Sequence, residues 1–71
     1  MESEMMKLDA LLDYTIKHNR EHAEELKSLA QKAKELGKTA VYDELMRGVK
    51  QMNRANETLG VALERLRELN R

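Results

Sequence analysis

Leu36-Gly37-Lys38-Thr39-Ala40 lies near the middle of the 71-residue chain, and its reading decides the fold. Glycine takes the left-handed backbone conformation at little steric cost, so Gly37 is a natural helix stop. Thr39 is a candidate cap for a second helix, with Asp43 and Glu44 near that helix's positive end. Toward the N-terminus no breaker interrupts the pattern back to Ser3, a second candidate cap, with Glu4 in the first turn. Toward the C-terminus the pattern runs to about Leu69, and the chain contains no proline. The sequence therefore predicts a single all-α domain over residues 1–71, with a helix over about 4–36, a turn at 37–39 and a helix over about 40–69. A turn this short forces the helices antiparallel, as an αα-hairpin.

The apolar residues repeat at steps of three and four. On the first helix Leu8, Leu12, Leu26, Leu29 and Leu36 suggest a seam, and the same stepping passes through Thr15, Asn19 and His22, with His18 on its flank. On the second helix Leu45, Val49, Met52, Leu59, Leu63 and Leu66 form a seam interrupted by Asn56. Folding about Gly37–Lys38 makes facing residue numbers sum to about 75. Leu12 then faces Leu63, Leu26 faces Val49, and Asn19 falls opposite Asn56. The expectation is a core polar layer of Thr15, Asn19, His22 and Asn56, which must find partners because unpaired polar groups in a core are costly.

Further apolar residues stand outside these seams: Leu11, Ile16, Ala23 and Ala30 on the first helix, Val41, Gly60 and Ala62 on the second. That face is wider than one partner helix covers. It predicts a homodimer in which two hairpins form a four-helix bundle.

Composition excludes several classes. There is no cysteine, hence no disulfide framework and no thiolate site, in keeping with a cytoplasmic location. Met1-Glu2-Ser3-Glu4 lacks the basic start and apolar run of a signal peptide. No apolar stretch approaches the length of a membrane span. Thirteen basic residues balance thirteen acidic ones, which argues against nucleic acid as a partner.

His18 and His22 stand four residues apart, so on a helix their rings lie one turn apart on one face, the spacing at which two imidazoles share a metal ion. His18-Asn19-Arg20-Glu21-His22 matches the H-x-x-E-H pattern of some metalloproteases, but Glu21 points away from the seam and no second domain forms a cleft. The chain is accordingly read as non-enzymatic. Two readings of the polar layer stay open. In one, His18 and His22 hold nickel, cobalt or zinc, completed either by Glu25 as a third donor or by the same two histidines of a second copy. In the other, His22 and Asn19 hydrogen-bond Asn56 and only set register.

The tract His18-Asn19-Arg20-Glu21-His22-Ala23-Glu24-Glu25, followed by Arg54-Ala55-Asn56-Glu57-Thr58-Leu59, resembles a family of short prokaryotic helical-hairpin proteins with the pattern HNxxHAxE and ANxxL. The resemblance runs from Leu8 to Leu66. It implies nickel or cobalt handling, with His18, His22 and Glu25 as ligands and Asn19 and Asn56 as paired core residues. The architecture is also similar to that of Rop-like RNA-binding regulators. Here Arg47, Lys50 and Arg54 make a basic row on the second helix, but no aromatic residue is interleaved with it. A protein-binding adaptor is the remaining alternative.

Overall fold

The computed structural model describes the backbone of residues 2–69 and the side-chain packing of residues 3–68. Helix α1 spans Glu2–Glu35 and helix α2 spans Thr39–Leu69. They lie side by side in a rod of 53 × 15 × 11 Å. Its length matches a straight helix of 34 residues, about 51 Å at 1.5 Å per residue.

The turn is held by backbone chemistry. Gly37 has φ 76°, the only positive φ among the described residues. Gly37 N–H donates to Lys34 O at 3.0 Å and Lys38 N–H to Ala33 O at 2.8 Å, the paired bonds of a Schellman motif. Tyr42 N–H donates to Lys38 O at 3.0 Å, so Lys38 is the residue that opens α2. Thr39 is therefore already helical and does not cap. Ser3 likewise lies inside α1, which begins at Glu2.

The seam between the helices differs from the leucine seam expected on α1. The inward positions are Asp9, Leu12, Ile16 and Asn19, then Ala23, Leu26, Ala30 and Ala33. Ala30 is fully buried, and Ala23 and Ala33 nearly so, facing an α2 on which Val49 and Leu63 are buried. By contrast Leu8, Leu29 and Leu36 are 48%, 57% and 67% exposed. Thr15 and His22 are exposed as well and do not belong to the core layer. Leu12, Asn19 and Leu26 are common to the two candidate seams, so the alternation on either side of them decides. The set containing Ala23 and Ala30 wins because small side chains let two helix backbones approach and enclose Val49. The set containing Leu29, Leu36 and His22 would hold the helices apart and bury an imidazole.

The open end of the hairpin is tied by charge. Arg67 donates from Nε and Nη2 to the two carboxylate oxygens of Asp9, at 3.0 and 3.1 Å, and also approaches Asp13 at 3.9 Å. The forked geometry fixes direction as well as distance. The hydrogen bonds from Arg67 hold the Asp9 carboxyl below its ordinary pKa, and Asp9 in turn raises that of Arg67. Near the turn, Lys34 Nζ stands 5.2 Å from the centre of the Tyr42 ring.

Candidate metal centre

Polar side chains meet at mid-height in two places, one between the helices and one outside them. Between the helices, Asn19 Nδ2 donates to Asn56 Oδ1 at 3.2 Å, and Asn56 Nδ2 donates to the Ile16 carbonyl at 2.9 Å. Among the described residues no buried side-chain nitrogen or oxygen lacks a partner. The Asn56 amide thus reaches both the side chain and the backbone of α1, and a slip of either helix by one turn would break both bonds. Thr15 and His22, expected in this layer, take no part in it.

Outside, Tyr14, His18, His22 and Glu25 form a continuous row along α1. Their spacing of four, four and three residues places successive side chains one turn apart. Tyr14 stacks on His18 with ring centroids 5.4 Å apart and planes 14° apart. His18 and His22 meet edge to face at 4.3 Å and 86°. Their Nε2 atoms are 2.9 Å apart. His22 Nδ1 lies 3.1 Å from Glu25 Oε2.

The donor and acceptor roles follow from the partners. A carboxylate only accepts, so His22 Nδ1 carries the hydrogen and donates it to Glu25. When the His22 ring is neutral, its lone pair is then at Nε2. The 2.9 Å between the two Nε2 atoms is the length of an N–H···N hydrogen bond, donated by one ring and accepted by the other. The rings are accessible, with the His22 side chain 48% exposed. Glu25 approaches the other side of the His22 ring from His18. It sits behind His22 and orients the ring instead of joining the two Nε2 atoms, an arrangement common among metal-binding histidines. Glu21, of the H-x-x-E-H pattern, is exposed and makes no bond to either histidine among those found.

Among the described residues no group of three or more His, Cys, Asp or Glu side chains is placed to enclose an ion. The hairpin supplies two nitrogens and their orienting carboxylate. Two contacts escaped the reading of the sequence. The Tyr14–His18 stack was signalled by its spacing of four, and the Asp9–Arg67 fork by a number sum close to that of Asn19 and Asn56. The basic row Arg47, Lys50 and Arg54 lines a shallow open groove on α2, together with Gln51, Asn53 and the acidic Glu57. No residue of the histidine row lines it.

A family model described as "Domain of unknown function (DUF8180)" matches residues 8–66. No curated protein and no solved structure matches the chain.

Proposed function

The chain belongs to that family, whose description assigns no activity, and from its own residues we propose that it is a small non-enzymatic metal-binding protein that takes a divalent transition ion on His18 and His22. The observation that carries this reading is the 2.9 Å separation of the two Nε2 atoms, with Glu25 already holding Nδ1 of His22. Two imidazole nitrogens on one ion at bonds of about 2.0–2.1 Å stand about 2.8–3.4 Å apart, from right-angled to tetrahedral geometry. The 2.9 Å spacing falls in that range, and the rings need only turn so that both lone pairs meet at the ion in place of the hydrogen between them. Imidazole donors suit nickel, cobalt and zinc. The pairing of His22 with an orienting carboxylate supports a binding role. So does the resemblance to hairpin proteins that carry the HNxxHAxE pattern.

Calorimetric titration with Zn²⁺, Ni²⁺ and Co²⁺ tests it. Binding should be lost in His18→Ala and in His22→Ala. It should weaken about 10–100-fold in Glu25→Gln, the effect of removing a carboxylate that orients a ligand histidine. Binding unchanged in His18→Ala would refute the reading.

The wide apolar face supports a second reading, in which two hairpins associate as a four-helix bundle and serve as an adaptor or a Rop-like regulator. A homodimer is part of both readings. In the second, the histidine row is only surface.

A further inference from the structure

We propose that the metal centre is intermolecular: His18 and His22 of two hairpins converge on one ion at the two-fold axis of a dimer, so that metal binding and dimerisation are coupled. This rests on the reading of His18 and His22 as ligands.

The first argument is incompleteness. The hairpin offers two nitrogens, Glu25 is engaged with His22, and no third donor stands near enough to enclose an ion among the described residues. Four-coordinate sites need two ligands more. A second copy brings them, together with a second Glu25. Two carboxylates, one behind each His22, then balance the double charge of the ion.

The second argument is the side on which the row lies. The Arg67 fork to Asp9 and its approach to Asp13 mark one flank of the hairpin. By helical angle at about 100° per residue, His18 and His22 lie on the opposite flank of α1. Leu8, Leu11, Leu29 and Leu36 share that side, and all four are exposed. On α2 the side away from Arg67 carries Val41, Gly48, Ala55 and Ala62. The two apolar sides adjoin, because the flanks joined by Arg67 do. A Cβ built at Gly48 meets no atom within 4 Å, so the hairpin leaves open space there that another helix can approach.

The third argument is symmetry. His18 is the seventeenth of the 34 residues of α1, so the row occupies mid-height. Leucines stand above and below it. A two-fold axis across the helices at that height lays the row of one copy on the row of the other, and leucine ends on leucine ends. Isologous pairing requires this self-complementarity.

The fourth argument is area. The hairpin exposes 5854 Å² for a mass of 8.3 kDa. A compact monomer of that mass exposes about 4,600 Å². The surplus of about 1,300 Å² exceeds the roughly 800 Å² per partner of a standard interface.

Sedimentation equilibrium with Co²⁺, paired with visible spectroscopy, tests the coupling in the full chain. The expected result is one ion per two chains, the strong visible absorption of four-coordinate cobalt, and a dimer dissociation constant lowered about tenfold or more by saturating metal. His18→Ala should remove the metal dependence. Leu29→Glu, at an exposed position that leaves the hairpin's own core intact, should abolish the dimer and the four-coordinate spectrum together. One ion per chain with unchanged mass would overturn the proposal while leaving the His18–His22 pair as ligands. No binding of Co²⁺ at all would remove both.

Discussion

Asn19 and His18 are neighbours in sequence and stand at one height on α1, yet they illustrate opposite uses of a polar side chain. Asn19 faces α2, where Asn56 accepts its hydrogen bond and makes a second one to the Ile16 carbonyl. That layer is closed: each amide has its partner within the hairpin, and the pair sets register. His18 faces outward, and its Nε2 meets only the Nε2 of His22. That row is exposed, and its one hydrogen bond between the rings can open without disturbing the contact between the helices. The comparison teaches that a polar interruption in an apolar pattern has two meanings, separated by whether its partners lie across the helix pair or along one exposed helix face.

The sharpest way to break the comparison is to show that the inner layer depends on the outer row. Core truncation sets the scale. Leu63→Ala, at a buried position on α2, should cost about 2–4 kcal/mol in urea denaturation, because it opens a cavity in a core that is small to begin with. Asn56→Ala should cost less, about 1–2 kcal/mol, since it strands the Asn19 amide and one backbone carbonyl bond. Metal affinity should survive it. A loss of metal binding in Asn56→Ala would mean that the two places are one network.

The turn and the register were legible in the sequence. Gly37 is the one residue in the break that takes the left-handed conformation cheaply, and a turn of that length sets Asn19 against Asn56 whichever side chains surround them. The side of α1 that turns inward was less legible. Leu12, Asn19 and Leu26 belong to either seam, and counting apolar residues favours the leucines over the alanines. Packing favours the reverse, because Ala23, Ala30 and Ala33 permit a close approach that leucines forbid. The same shift moved His22 and Thr15 from the core to the surface. The caps were misread by one residue or more, since Lys38 opens α2 through its backbone carbonyl and no side-chain signal marks that. The part played by Glu25 needed the tautomer of His22, which depends on which ring nitrogen the carboxylate reaches.

Acid should weaken the hairpin through its open end. Asp9 has a folded pKa lowered by Arg67, so the unfolded chain takes up this proton first as pH falls. The fork's contribution is full above the ordinary carboxylate value, about 3.9, and is lost as pH drops through the lower folded value. Thermal denaturation of wild type and Asp9→Asn from pH 6 downward, to about pH 2, checks this: the gap between them should close in acid. A gap of constant size would mean that the fork contributes nothing through its charge. The smallest effect belongs to the outer row. Without metal, His18→Ala should change stability by no more than about 0.5 kcal/mol, as for other exposed positions.

The central claim, that His18 and His22 present their Nε2 atoms to one ion while Glu25 keeps Nδ1 of His22, is tested most directly by ¹⁵N NMR of the two imidazoles during a Zn²⁺ titration. The account predicts that the Nε2 signals of both rings shift together, with one midpoint, while the Nδ1–H of His22 persists. Shifts confined to one ring, loss of the Nδ1 proton of His22, or unmoved signals at saturating zinc would contradict it.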